Sequence, residues 1–251
     1  MNTSSLYVQS LHKGLQVLEA FQGQRAMTLP EIAAAVDITK SSAQRMVHTL
    51  EQMGYVTRDP ALRGYRLTPR AVTLGLGYLS KEPLLQGAYG ILHSLNQECG
   101  ETVNFSIPDG DDMVFVMRIH SFRHIPMYMP VGTRMPMAST ASGRAVLAAL
   151  PPEETQARVM AMVLEQHTPQ TVIRPEQLMA LVNDARTDGH AYADEEFFSG
   201  DVNVAAAVLD GARRPVAAVN LSVPKPRWSL ERARQELAPL AMRAARAIGQ
   251  S

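Results

Sequence analysis

Apolar residues recur at helical spacing in three segments near the start of the chain. In the first segment, Leu11, Leu15, Leu18 and Phe21 share one helical face, and Gly23 ends the pattern. Short polar breaks separate the three segments, so each predicts a helix of its own. The predicted helices span 11–22, 29–36 and 40–53.

Two short strands are predicted directly after the third helix. Thr39 is the predicted N-cap of that helix and Gly54 its stop. Alternating residues at 55–57 and 65–67 predict the strands, because a proline and a glycine between them favour a turn. The order of helix, helix-turn-helix and hairpin predicts a winged helix-turn-helix.

The rest of the chain predicts an α+β domain with a mainly antiparallel sheet. A helix over 70–81 precedes it and ends at a glutamate–proline pair, so we expect this helix to link two domains. The predicted domains are the winged helix-turn-helix (1–68), the linker helix (69–83) and the C-terminal domain (84–251). In the last domain we predict helices over 84–99, 141–150, 153–164, 175–187 and 229–248, and strands over 103–107, 113–119, 202–209 and 215–223, with a strand and loop within 125–137.

Charge is distributed unevenly along the chain. The 251 residues include 24 basic and 24 acidic side chains, yet residues 1–80 have an excess of three positive charges. A basic N-terminal third beside an acidic remainder is typical of a DNA-binding module joined to a partner domain. The single cysteine, Cys99, excludes an internal disulfide, and no apolar run reaches the ~20 residues of a membrane helix. We therefore expect a cytoplasmic protein without cofactor, metal or membrane partner.

The second helix of a helix-turn-helix enters the major groove of DNA. In this helix Gln44 is suited to adenine and Arg45 to guanine or a phosphate, while the hydroxyl side chains are suited to phosphates. Arg63 at the hairpin tip and Lys13 would contact the minor groove or the phosphate backbone. The residues expected to contact DNA are Lys13, Thr39, Lys40, Ser41, Ser42, Gln44, Arg45, Thr49 and Arg63. The same pattern also fits two packed helices that serve dimerisation or protein docking in a small-molecule sensor.

Several segments resemble the IclR family of bacterial transcriptional regulators. The N-terminal ones are SLHKGLQVL (10–18), LPEIA (29–33), TKSSAQR (39–45), GYV (54–56) and YRLTPR (65–70). The C-terminal ones are GETV (100–103), VGTRMP (131–136) and GRAVLA (143–148), and 189–222 continues the pattern. The resemblance covers nearly the whole chain in the order expected for that family.

This resemblance implies a winged helix-turn-helix, a linker helix and a GAF-like C-terminal domain that binds a small effector. It also implies homodimers, often paired into tetramers, that bind a partly palindromic operator in double-stranded DNA. Two half-sites about one helical turn apart would match the two-fold symmetry of a dimer. Whether such a regulator represses or activates depends on where its operator lies.

The start of the predicted helix over 141–150 offers free backbone N–H groups and a positive dipole end, which favour an anion. The resemblance also places the effector here, with a carboxylate on the N–H groups of Ala141 and Ser142. The other lining positions that it implies are Asp194, Asp201, Asn203, Asn220 and Ser222. The segment 200–203 reads GDVN where Gly-Leu-Arg-Ser or Gly-Leu-Arg-Cys is usual in the family. If Asp201 points inward, it would repel an anion or accept a hydrogen bond from a hydroxylated effector.

A cluster of soft apolar side chains lies near this helix start in sequence, and methionine favours contact with aromatic rings. The cluster consists of Met127, Tyr128, Met129, Met135 and Met137. Beside an anion site it indicates an aromatic or hydrophobic carboxylic acid, although packing in the core or at a dimer surface explains each residue equally well.

No catalytic motif is present, neither Gly-x-Ser-x-Gly nor His-Glu-x-x-His. His120 and His124 lie four residues apart, but in a region that reads as strand and loop, so structural or surface histidines are favoured over zinc ligands. Glu195 and Glu196 would be solvated, as adjacent carboxylates on a loop usually are. We therefore expect a regulator and not an enzyme, with a GAF-like enzyme as the alternative.

Overall fold

The computed structural model describes residues 6–123 and 129–250. The chain forms two compact units, Met1–Tyr78 and Leu79–Ser251. The N-terminal unit consists of α1 (Gln9–Glu19), α2 (Leu29–Ala35), α3 (Lys40–Gln52), β1 (Val56–Asp59), β2 (Gly64–Leu67) and nearly all of α4 (Arg70–Leu79). The two strands pair as an antiparallel hairpin. This order confirms the predicted winged helix-turn-helix.

Local signals fix the ends of these helices. Thr28 and Glu31 form a capping box at the start of α2. The Thr39 side chain accepts a hydrogen bond from the Ser42 backbone N–H at 3.1 Å, as expected of an N-cap. Gly54 follows α3 with φ +78°, a left-handed conformation that glycine adopts without strain. Both ends of α3 therefore agree with the sequence pattern.

The apolar face of α1 is only partly buried. Val17 and Phe21 enter the core of the N-terminal unit, beside Ile32 of α2. Leu11 and Leu15 remain 61% and 51% exposed, although the sequence pattern places them on the same face as Phe21. The helix thus buries one flank of its apolar face and leaves the other open.

The C-terminal unit contains the remaining six helices and six strands of the described residues. They are α5 (Pro83–Cys99), β3 (Thr102–Asp109), β4 (Asp112–Ile119), β5 (Arg134–Pro136), α6 (Ala141–Ala149), α7 (Pro152–Ala161), α8 (Pro175–Asp188), β6 (Ala191–Asp194), β7 (Asp201–Leu209), β8 (Pro215–Pro224), α9 (Leu230–Glu236) and α10 (Ala238–Gly249). The strands form one antiparallel sheet in the order β5-β4-β3-β8-β7-β6. This confirms the predicted α+β domain.

Helices cover both faces of the sheet. On one face, α5, α9 and α10 pack on residues such as Phe105 and Leu221. On the other face, α6, α7 and α8 pack on small residues such as Ala205 and Ala218. Because side chains alternate along a strand, neighbouring residues of β7 and β8 enter different cores. The second face also carries the polar residues described below.

Two elements differ from the sequence prediction. The closing helix, predicted as one over 229–248, is divided at Leu237 into α9 and α10, since Pro239 has no N–H to continue the helical hydrogen bonds. The short strand β6 was not predicted, because its four residues are too few to show a period. Within the described residues, no helix is long and apolar enough to cross a membrane.

Candidate nucleic-acid interface and ligand pocket

The core side of α3 is buried through Ala43, Val47 and Leu50, and this packing fixes which side chains face outward. The predicted DNA-contacting residues of this helix accordingly lie on its surface. Lys40, Ser41, Gln44, Arg45 and Thr49 are exposed, as is Thr39 before the helix, and Ser42 is half-buried. His48 is also exposed, one turn after Gln44, and the sequence analysis did not include it.

Local hydrogen bonds occupy some of the hydroxyl groups of α3. The Thr39 hydroxyl donates to Ser42 Oγ at 3.0 Å, and the Thr49 hydroxyl donates to the Arg45 carbonyl oxygen at 2.9 Å. A phosphate oxygen only accepts hydrogen bonds, so Thr39 and Thr49 must break these bonds before they contact it. Ser42 keeps its own proton available as a donor.

The hairpin carries three arginines in different environments. Arg66 Nε lies 3.3 Å from Asp59 Oδ2, and the guanidinium carbon of Arg58 lies 5.9 Å from the centre of the Tyr65 ring. Arg63 is exposed in the turn with φ +50°. It is therefore the arginine at the tip, as predicted. Lys13 is half-buried on α1.

A pocket lies between α6 and the sheet of the C-terminal unit. Its cavity volume is about 30 Å³, room for about one or two water molecules, so the pocket must widen to hold a larger ligand. Aromatic rings and methionines line it together with hydroxyl, amide and carboxyl groups. The lining residues are Asn104, Phe115, Met129, Met135, Ser139, Thr140, Ala141, Ser142, Ala193, Glu196, Phe197, Phe198, Asp201, Asn203, Asn220 and Ser222.

The N-terminus of α6 forms a wall of hydrogen-bond donors. The Thr140 side chain caps the helix by accepting a hydrogen bond from the Gly143 N–H at 3.2 Å. The N–H groups of Ala141 and Ser142 lie in the first turn, where an α-helix provides no acceptor and its dipole adds positive charge. Ser139 is 2% exposed, and its hydroxyl has no hydrogen-bond partner within the described residues. These donors together favour an anion.

Gly143 allows α6 to begin this close to the chain before it. A Cβ atom at this position would lie 2.1 Å from the Cα of Met137 and 2.4 Å from its carbonyl oxygen. No side chain except hydrogen fits in that space. Met137 itself is fully buried in the core beneath α6, so it belongs to the packing and not to the pocket lining.

A row of side-chain hydrogen bonds crosses the sheet at the pocket, and we call its three asparagines the amide ladder. Arg118 Nε donates to Asn104 Oδ1 at 2.9 Å, and Asn104 Nδ2 donates to Asn220 Oδ1 at 2.7 Å. Asn220 Nδ2 then donates to Asn203 Oδ1 at 3.0 Å, and Asn203 Nδ2 to Asp201 Oδ2 at 2.7 Å. The strand register brings the groups together, because Asn104 pairs with Asn220 on one side and Arg118 on the other.

Asp201 lies at the end of the amide ladder and lines the pocket. Ser222 Oγ donates to its second carboxylate oxygen at 2.8 Å. Burial raises the pKa of Asp201 above its ordinary value, and the hydrogen bonds from Asn203 and Ser222 and the charge of Arg118 oppose this rise. Burial likewise lowers the pKa of the Arg118 guanidinium.

A buried ion pair fixes the loop that follows β6. Arg144 of α6 donates two hydrogen bonds to the Glu196 carboxylate, and its side chain also reaches the carbonyl oxygens of Ala138 and Tyr192 at 3.0 and 3.1 Å. The Val172 N–H donates to the same carboxylate at 3.2 Å. The expectation of a solvated carboxylate is therefore wrong for Glu196, since this loop packs against α6. The loop in turn places two phenylalanines in the pocket.

The acids beside Glu196 face away from the pocket. Lys225 Nζ lies 2.7 Å from Asp194 Oδ1 and 2.8 Å from Glu195 Oε1. Because side chains alternate along β6, Ala193 lines the pocket and Asp194 points to the other side. Asp194 is thus outside the lining, in contrast to the prediction.

The structure brings most of the predicted effector residues into one pocket. Those that line it are Met129, Met135, Ala141, Ser142, Asp201, Asn203, Asn220 and Ser222. Met127, Tyr128 and His124 lie outside the described residues. The lining residues that the sequence analysis missed are Asn104, Phe115, Ser139, Thr140, Ala193, Glu196, Phe197 and Phe198. Asn104 had a signal, as a polar residue alternating with Val103 and Phe105 in a buried strand.

Both units of the chain match known domain families. Residues 10–60 match the IclR helix-turn-helix domain, and residues 76–250 match the C-terminal domain of the bacterial transcriptional regulator IclR. The protein belongs to the IclR family. It is therefore a DNA-binding transcriptional regulator with an effector-binding C-terminal domain, which confirms the predicted function.

Individual relatives are similar over nearly the whole chain. The Pca regulon regulatory protein of Pseudomonas putida is 31% identical over 96% of this chain and 82% of its own length. A crystal structure of a transcriptional regulator from Rhodococcus sp. RHA1 is 36% identical, with a TM-score of 0.82 over 97% of this chain and 98% of that one. An IclR homolog from Microbacterium hydrocarbonoxydans, complexed with 4-hydroxybenzoate, shares the fold at 23% identity, with a TM-score of 0.77 over 96% and 98% of the two chains. The matched families are regulators, so the enzyme alternative is set aside.

Proposed function

We propose that this regulator binds a small organic acid, such as an aromatic carboxylate, in the pocket beside α6, and that the acid changes its affinity for an operator. The unpartnered Ser139 hydroxyl beside the first turn of α6 carries this proposal. A buried hydroxyl without a partner is unfavourable, and a carboxylate would satisfy it together with the N–H groups of Ala141 and Ser142. No cofactor is needed for this role.

The sides of the pocket favour an aromatic body on that acid. Phe115, Phe197 and Phe198 provide ring faces and edges, and Met129 and Met135 provide polarisable thioethers that pack well on rings. The Microbacterium hydrocarbonoxydans homolog binds 4-hydroxybenzoate, so hydroxylated and plain benzoates are suitable probes for this protein.

For the DNA side, we assign base contacts to Lys40, Gln44 and Arg45 on the exposed surface of α3. These assignments are supported by the exposure of the three side chains, because the buried residues Ala43, Val47 and Leu50 on the opposite side of α3 fix how the helix is oriented. The hydroxyl groups would contact phosphates, namely those of Thr39, Ser41, Ser42 and Thr49. Arg63 and Lys13 would contact the backbone or the minor groove. We place this activity in the cytoplasm, on a partly palindromic operator.

We further propose a homodimer, whose symmetry would match two half-sites. Its support is the apolar surface on α1 and α4, where Leu11, Leu15, Val72, Leu74 and Leu76 are all more than half exposed. Large apolar side chains exposed in this number are unfavourable in water unless another chain covers them. Assembly of dimers into tetramers remains a family expectation. We keep 1–68, 69–83 and 84–251 as DNA-binding domain, linker helix and effector domain.

The carboxylate site is tested by calorimetric titration of the full chain with benzoate and with benzamide, its uncharged isostere. We expect benzoate to bind at least about tenfold more tightly, because only the anion gains from the helix dipole and several charge-assisted hydrogen bonds. Ser139→Ala should weaken benzoate binding by about tenfold. Ser199→Ala, an exposed serine in the nearby loop, serves as the matched control. Equal binding of the two ligands would contradict an anion site at α6.

A further inference from the structure

We infer that Asp201 makes the pocket selective for carboxylates that carry a second polar group able to donate a hydrogen bond, such as a hydroxyl or an amine. This inference rests on the proposed function, because it assumes a carboxylate at the N-terminus of α6. The donor group would lie on the sheet side of the pocket, against the Asp201 carboxylate.

The polarity of the amide ladder is fixed by its two ends. The Arg118 guanidinium only donates hydrogen bonds, and an ionised Asp201 only accepts them. Every amide between them therefore donates toward Asp201 and accepts from the side of Arg118, as the four hydrogen bonds show. Rotating one amide group by 180° would place two donors or two acceptors against each other. The ladder therefore cannot adapt to a ligand by such a rotation.

Asp201 keeps acceptor capacity after these contacts. Each carboxylate oxygen accepts up to two hydrogen bonds, and Asn203 and Ser222 use one on each oxygen. Both hydrogen-bond partners are neutral, and within the described residues no cation forms an ion pair with Asp201, because Arg118, whose charge also acts on it, is hydrogen-bonded to Asn104 at the other end of the amide ladder. A buried carboxylate with neutral partners favours a further donor and disfavours another acceptor or anion.

The pocket lining contains no cationic side chain to pair with a second carboxylate. Glu196, the other acid in the lining, is already paired with Arg144. A dicarboxylate would place its second anion near Asp201 without a cation in the lining to compensate it. The pocket thus distinguishes a hydroxy or amino acid from a plain acid and from a diacid.

Calorimetry with the full chain tests this selectivity. The ligands are benzoate, 4-hydroxybenzoate, 4-aminobenzoate and terephthalate, which differ only in the group opposite the first carboxylate. We expect the wild type to bind 4-hydroxybenzoate between about tenfold and a hundredfold more tightly than benzoate, since hydrogen bonds to charged groups have this strength. Terephthalate should bind at least about tenfold more weakly than benzoate. The 4-amino ligand shows whether amine donors are accepted as well as hydroxyl donors.

Variants of Asp201 separate selectivity from simple binding. Asp201→Leu should bring the affinities for 4-hydroxybenzoate and benzoate to within about threefold of each other, because it removes the acceptor. Asp201→Asn keeps the shape and one acceptor, so it should retain part of the preference. Asp184→Asn removes an exposed carboxylate of α8 and is the matched control, with the wild-type preference expected.

The results distinguish failure of this inference from failure of the proposed function. If the acids bind but 4-hydroxybenzoate and benzoate bind equally, or if Asp201→Leu keeps the preference, the role of Asp201 is refuted while the carboxylate site stands. If none of the four acids binds the wild type, the carboxylate site itself is refuted, and the selectivity falls with it.

Discussion

Replacing Glu196 with glutamine should destabilise the C-terminal unit strongly. Its partner Arg144 has a side chain that is 1% exposed, and the Glu196 side chain is 7% exposed. The substitution preserves the size of the side chain but removes the negative charge, so the Arg144 guanidinium would remain charged in the interior without a counter-ion. The glutamine oxygen would accept one of its two hydrogen bonds, and the other donor would face an NH₂ group. Leaving one partner of a buried ion pair uncompensated costs about 3–5 kcal/mol.

Denaturant unfolding of the wild type and Glu196→Gln measures this loss. The exposed pair of Arg232 with Glu236 is the matched control, because its arginine also donates two hydrogen bonds to a glutamate, at 2.9 and 3.1 Å. Both of its side chains are about half exposed and screened by water, so Glu236→Gln should leave the free energy of unfolding almost unchanged. Equal losses in the two variants, both below about 1 kcal/mol, would refute the argument from burial.

Three further predictions follow from the site. Burial raises the pKa of Asp201 above its ordinary value, so the wild type loses stability as pH rises through that pKa and the carboxyl ionises. Chemical denaturation should therefore show Asp201→Asn to be more stable than the wild type at pH about 8 but not at pH about 4. Gly143→Ala should cost at least about 2 kcal/mol of unfolding free energy because its Cβ meets the Met137 backbone, whereas Gly90→Ala, with open space around it, should be neutral or stabilising. Arg45→Ala should weaken operator binding by about 1–3 kcal/mol and relax specificity at one base pair, and an unchanged affinity in a duplex titration would contradict the assigned role of α3.

Local signals predicted most of the N-terminal unit. A capping residue before α3, a glycine after it and turn residues within the hairpin act over a few positions, so they can be read from the sequence. The exposure of Leu11 and Leu15 could not be read, because it depends on which flank of α1 meets α2 and α3. Helical spacing shows that residues share a face but not whether that face is covered.

The pocket was predicted where backbone geometry determines it. The first turn of α6 offers donors whatever surrounds it, so Ala141 and Ser142 were recognised from the helix pattern and the family resemblance. The contacts of Asp194 and Glu196 depend on the distant residues Lys225 and Arg144. Nothing in the local sequence distinguishes the half-buried acid, Asp194, from the buried one, Glu196. Side-chain pairing across a sheet, as in the amide ladder, is equally invisible before the strand register is known.

The most direct test of the account is a fluorescence titration of duplex DNA from the region upstream of the gene, beside a scrambled duplex, with and without 4-hydroxybenzoate. It should be made at two salt concentrations with the wild type and with Ser139→Ala. We expect tight binding that prefers the upstream duplex, a steep loss of affinity with salt, and a shift on adding the acid that Ser139→Ala reduces. Equal binding of the two duplexes with and without the acid, or a shift of the same size in Ser139→Ala, would contradict the claim that the pocket beside α6 controls DNA binding.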